Sequence, residues 1–175
     1  LLGSDASSVL KYPHAIEFKP DGTKMFVTAG DAVASVYQYK LTTPWDSSSA
    51  EFEARHDEGR TDVKHLRTLA FKPDGTRMFV GGKDDPSTTG KIKQFTLTNP
   101  WDLSSGVSDA GLSDDLGGAE PNLRNAQFDP NGSILYIGGN DNDNIHKFTL
   151  STAWDVTSIS SSFTTFDLNL SLIHI

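Results

Sequence analysis

One pattern limits what this chain can fold into: two sequence blocks occur three times, always in the same order. The first block reads F-K-P-D-G-T-K-M-F-V from Phe18 to Val27, F-K-P-D-G-T-R-M-F-V from Phe71 to Val80, and F-D-P-N-G-S-I-L-Y-I from Phe128 to Ile137. The second reads V-Y-Q-Y-K-L-T-T-P-W-D from Val36 to Asp46, I-K-Q-F-T-L-T-N-P-W-D from Ile92 to Asp102, and I-H-K-F-T-L-S-T-A-W-D from Ile145 to Asp155. A period of about 55 residues makes each copy one supersecondary unit that buries its apolar face against its neighbours.

Each unit spells out strands and turns. Pro fixes φ, Asp or Asn tolerates the bend, and Gly22, Gly75 and Gly132 supply the positive φ that closes a hairpin. The run after the turn, Met25-Phe26-Val27 or Leu135-Tyr136-Ile137, is continuously apolar and predicts a strand covered on both faces. The third strand carries Tyr39 and Leu41, or their equivalents, two apart on one face. Ala50 to Arg55 alternates as a fourth strand with one face in water. Its counterparts, Ser108 to Glu120 and Thr157 to Phe166, are vaguer. No segment sustains a helical period. Apolar residues make up 36% and aromatics 10%, which suits a thin, aromatic-rich β core. Four short antiparallel strands per unit describe a β-propeller blade. The expected fold is all-β, with three blades.

The P-D-G-T-x-M-F-V core followed by a V-Y-Q-Y-like strand resembles YVTN-type and NHL-type propeller repeats. The L-T-T-P-W-D ending is similar to repeats of surface and virus-particle proteins of environmental bacteria and phages. The tryptophan–aspartate repeat family has a shorter period and a Gly-His signature, so it does not fit. The resemblance implies binding scaffolds, structural modules, and in some cases hydrolases or lactonases.

The expected organisation is residues 1–12 as the outer strand of a preceding blade, blades at 13–60, 61–118 and 119–170, and a non-repeat tail at 171–175. Propellers close with about 4–8 blades. Three leave two apolar flanks, larger than the few hundred Å² that monomers usually expose. The flanks call for self-association or for the remainder of a longer chain.

The chain has 15 Lys and Arg against 23 Asp and Glu, a net charge of −8, which disfavours sequence-independent nucleic-acid binding. No run reaches the ~18 apolar residues of a membrane helix. There is no cysteine, which excludes disulfides and thiolate metal sites.

Ligand residues in a propeller gather where the first strands enter the channel. That repeat position holds His14, Arg67 and Arg124. Together they could hold a carboxylate, a phosphate or an acidic glycan; alternatively they only neutralise nearby acids. Asp31, Asp84 and Asp141 follow the Gly-rich turns, and Asp141 with Asp143 offers oxygen ligands for calcium. The calcium-loop pattern is incomplete, so turn chemistry is the preferred reading. Trp45, Trp101 and Trp154 read as plugs between blades, with the next Asp capping the turn, rather than as a sugar-stacking platform. Catalytic signatures are missing, and Glu17, Ala70 and Gln127 share one position without forming a carboxylate cluster. The expectation is a non-catalytic structural and binding module without cofactor, extracellular or on a particle surface, with a protein or glycan ligand. A lactonase-type hydrolase with a divalent metal in the channel is the alternative; a glycan-binding lectin is the other.

Overall fold

The computed structural model describes residues 12–30, 34–58, 62–83, 90–113, 116, 118–140 and 144–168. The described residues form three four-stranded antiparallel sheets, each in simple sequential order. The first holds β1 (Pro13–Phe18), β2 (Lys24–Ala29), β3 (Ser35–Leu41) and β4 (Ala50–Asp57). The second holds β5 (His65–Phe71), β6 (Arg77–Lys83), β7 (Gly90–Asn99) and β8 (Asp102–Leu112). The third holds β9 (Leu123–Phe128), β10 (Ile134–Gly139), β11 (Asn144–Leu150) and β12 (Ile159–Asp167). This is the expected three-blade propeller arrangement. The fourth strand of the second sheet starts at Asp102, directly after Trp101, well before the Ser108 expected from composition. The expected strand at 1–12, apart from Tyr12, and the tail at 171–175 lie outside the described residues.

The repeat motif locks each sheet internally. The hairpin glycines Gly22, Gly75 and Gly132 have φ of 72°, 73° and 69°. The Trp amides donate to these glycine carbonyls, Trp45 to Gly22 and Trp101 to Gly75 at 3.0 Å, and Trp154 to Gly132 at 2.8 Å. Each indole then lies against the glycine Cα. The Trp residues themselves adopt left-handed φ of 65°, 59° and 60°. The Asp that follows each Trp accepts from a backbone amide two residues on: Asp46 from Ser48, Asp102 from Ser104, and Asp155 from Thr157. Such Asx turns satisfy amides that the strand ladder leaves unpaired.

The core sits between sheets. One apolar cluster joins Phe26 and Val36 of the first sheet to Leu69, Phe71 and Trp101 of the second. Another joins Phe79 and Ile92 of the second to Leu135, Phe148 and Val156 of the third. Buried aromatic pairs of this kind carry most of the burial energy, with some contribution from ring geometry.

Burial pushes the imidazoles of His56 and His146 below the ordinary histidine pKa, and among the described residues His56 Nε2 is buried without a hydrogen-bond partner. Groups held neutral in the fold protonate more readily once unfolded, so the unfolded chain takes up more protons on acidification. Stability is therefore fully present above pH 6.5 and falls as pH drops below it. Urea midpoints at pH 7.5 and 5.5 check this; substituting both histidines by glutamine should shrink the difference.

Candidate functional site

The innermost strands β1, β5 and β9 line a cavity of about 510 Å³. At its rim the three equivalent residues meet: His14 at the start of β1, Arg67 in β5 and Arg124 in β9. Arg67 Nη1 lies 2.8 Å from His14 Nε2 and 3.0 Å from Nδ1. A guanidinium can only donate, so the imidazole must present an unprotonated nitrogen to it. Burial, then the charges of Arg67, Arg124 and His65, hold the His14 pKa below its ordinary value, which keeps that nitrogen free. Arg124 Nε donates to Asn140 Oδ1 at 3.0 Å. A smaller recess of about 220 Å³ adjoins, lined by His65, Arg67, Lys83, Asn122 and Arg124.

The electrostatics are one-sided. Among the described residues, no ion pair reaches His14, Arg67 or Arg124. Burial and then the charge of Arg124 lower the Arg67 pKa. The repeat symmetry that places three side chains together also sets like charges side by side, and among the described residues no ion pair offsets them. The sequence reading found this trio; it missed Lys83, which comes from β6, and His65, two residues before Arg67 in β5, because neither shares the trio's repeat position.

The same cavity is lined by Glu17, Ala70 and Gln127, with Ala15, Thr68 and Asn125. Burial raises the Glu17 carboxyl pKa. Thr68 is spent on structure: its Oγ1 accepts from Ala126 N at 3.1 Å and so ties β5 to β9. The three tryptophans are not brought together. Each sits under its own hairpin, Trp101 stacked on Phe71 at 4.7 Å and Trp154 5.1 Å from Phe128. Asp31, Asp84, Asp141 and Asp143 lie outside the described residues. Among the described residues, no three His, Asp or Glu side chains are grouped to hold a metal ion.

No family model matches this chain, and no curated protein sequence matches it either. Solved structures do match in fold. A protein provisionally assigned as a 6-phosphogluconolactonase from Bacteroides fragilis aligns over 89% of this chain and 39% of its own, at 14% identity and a TM-score of 0.63. A periplasmic gluconolactonase from Pseudomonas aeruginosa aligns over 87% and 42%, at 14% identity and a TM-score of 0.57. The β-propeller domain of Myceliophthora thermophila Cps50 aligns over 88% and 45%, at 12% identity and a TM-score of 0.54. At these identities the likeness is one of fold. This chain spans less than half the length of each.

Proposed function

We propose that this chain is a non-catalytic β-propeller module, structural and ligand-binding, that takes an anionic ligand at its channel face. The ligand class is a carboxylate, a phosphate or an acidic glycan. The observation that carries this reading is the convergence of His14, Arg67 and Arg124 on one rim, without an acidic partner among the described residues, in a chain of net charge −8. A cationic mouth in an acidic protein focuses anions, and paired guanidinium groups grip oxyanions through two parallel hydrogen bonds. The ring is completed by self-association or by the rest of a longer chain. Ser-, Thr-, Asp- and Gly-rich loops, the acidic balance and the lack of cysteine support placement outside the cell or on a particle surface.

Calorimetric titration with inorganic phosphate, citrate and an oligogalacturonate at low salt tests the site. At least one should bind, more weakly as salt rises. Arg67→Ala and Arg124→Ala should each weaken it about tenfold or more. Binding should tighten as pH falls through the His14 pKa, which lies below the ordinary histidine value, because a protonated His14 adds a charge. No binding, or binding indifferent to both substitutions, overturns the reading.

The gluconolactonase-like neighbours support a second reading, a lactone hydrolase, at the level of fold. The lining does not suit a divalent metal: Glu17 is its one carboxylate among the described residues, and it shares the cavity with three cation-forming side chains. Turnover of gluconolactone that disappears in Glu17→Gln would move the assignment to this reading.

A further inference from the structure

The two outer flanks of the three-sheet stack are unlike, and each matches one half of a joint that the interior already uses twice. In the first joint the Phe26 ring lies 4.6 Å from Phe71 and 6.1 Å from Trp101. Beside it Gln38 Nε2 donates to Asp102 Oδ1 at 3.4 Å, and Leu103 N donates to Gln38 Oε1 at 2.6 Å. In the second joint Phe79 lies 4.6 Å from Phe128 and 6.3 Å from Trp154. Gln94 Nε2 donates to Asp155 Oδ1, and Val156 N to Gln94 Oε1, both at 3.0 Å. An aromatic ring and the polar residue opposite it on the next strand thus grip the Phe, Trp and Asp of the following sheet.

The third sheet presents the same pair, and among the described residues it has nothing to grip. Tyr136 faces Lys147 across β10 and β11, as Phe26 faces Gln38 and Phe79 faces Gln94. Phe26 and Phe79 are buried, while Tyr136 is 40% exposed. The first sheet presents the other half. The Phe18 and Trp45 rings lie 5.4 Å apart, tilted by 34°, and Asp46 follows, but Trp45 is 60% exposed where Trp101 is 7%. Ile16 is 58% exposed where its equivalent Leu69 is buried. Among the described residues, no large exposed apolar side chain belongs to the middle sheet.

Charge follows the same logic. The first sheet offers Lys24 to Asp102 at 3.7 Å, and the second offers Arg77 to the Trp154 carbonyl at 2.6 Å. In the third sheet that position is Ile134, and the cation has moved to Lys147, where the other two sheets carry glutamine. The third flank therefore still offers one cation, and among the described residues the Asp46 carboxylate on the first flank accepts only from Ser48.

We propose that a second copy of this chain occupies these flanks head to tail, with Tyr136 of one copy on Phe18 and Trp45 of the other and Lys147 paired with Asp46. Two such joints close a ring of six sheets. The inference rests on reading the chain as an unfinished propeller arc and names what finishes it. Both halves of the joint are on this one chain, so a second copy supplies a matched aromatic anchor and an opposite charge at each end. Head-to-tail contacts of this kind close when the rotation allows, and otherwise run on as filaments.

Light scattering on the 175-residue chain should give twice its 19.0 kDa mass. Lys147→Glu sets two carboxylates against each other and should raise the dimer dissociation constant about a hundredfold, about tenfold for each joint. Lys147→Gln restores the residue of the interior joints and should keep the dimer. Asp46→Lys combined with Lys147→Glu should recover it. Asp46→Asn keeps the Asx turn and should weaken association by itself, which separates charge loss from local misfolding. A monomer, an open filament, or a dimer indifferent to Lys147→Glu overturns the proposal. A monomer that still binds anions would sink this joint while leaving the channel reading intact.

Discussion

Lys93→Met should destabilise the chain by about 3–5 kcal/mol, the cost of taking the cation away from a buried carboxylate. Lys93 is buried in β7, and its Nζ meets three carboxylates: Asp62 Oδ2 at 2.5 Å, Asp109 Oδ2 at 3.0 Å and Glu58 Oε1 at 3.2 Å. The three differ in exposure. Asp62 and Asp109 reach water and would resolvate, whereas the Glu58 side chain is only 1% exposed. The penalty therefore falls on Glu58, which also anchors the chain between the first and second sheets through its amide to Ala34 O. Burial alone would lower the Lys93 pKa, yet the hydrogen bonds to Asp62, Asp109 and Glu58 outweigh it, and the pKa stands above the ordinary lysine value. That contribution is present through neutral pH and is lost only as pH rises through the folded pKa. Urea unfolding at fixed protein concentration measures the change. Lys93→Met with Glu58→Gln should recover more than half of it, because the pair is then removed together. A loss under about 1 kcal/mol for the single variant would mean that Glu58 finds water or another donor.

Lys93 also shows why part of the molecule could not be read in advance. Its repeat position holds Tyr37 in the first sheet and His146 in the third, and all three are buried. Each finds a different polar partner. The Arg55 guanidinium lies over the Tyr37 ring, three carboxylates surround Lys93, and Thr165 Oγ1 sits 3.0 Å from His146 Nδ1. These partners come from outer strands and linkers, where the repeat is weakest, so alignment of the units is silent about them. The inner strands were legible because turn chemistry and apolar runs are local signals, and His14, Arg67 and Arg124 because symmetry superposes equivalent positions on one rim. The exception among the inner strands is Tyr136. The continuous run Leu135-Tyr136-Ile137 predicts burial on both faces, but among the described residues a strand in an end sheet has a neighbouring sheet on one side only. Sequence periodicity reports what a side chain is suited to meet, and the count of sheets decides whether the partner is there. The Gln38 and Gln94 joints carried a usable signal, a glutamine repeated opposite an aromatic, that only the three-dimensional arrangement gives meaning.

Gly75→Ala should cost about 3–5 kcal/mol while Gly22→Ala costs about 1–2 kcal/mol, although the two glycines sit in nearly identical turns. Both have left-handed φ, 73° and 72°, so the backbone penalty for an L side chain is the same. A methyl group at either position would overlap the indole that lies against it, Trp101 or Trp45. The difference lies in what holds the indole. Trp101 is wedged between Phe71 and Phe26 in the core that joins the first two sheets, so it can yield only by opening that core. Trp45 touches Phe18 and otherwise faces outward, so it can swing aside. Thermal unfolding of the two variants at a concentration where the chain is monomeric compares them directly, and Gly75→Ala should melt well below Gly22→Ala. Equal losses would mean that the backbone penalty dominates and that the Trp plug contributes little to holding the sheets together. If the head-to-tail joint forms, the gap should narrow as protein concentration rises, because Trp45 then acquires the Tyr136 of the second copy and becomes as confined as Trp101.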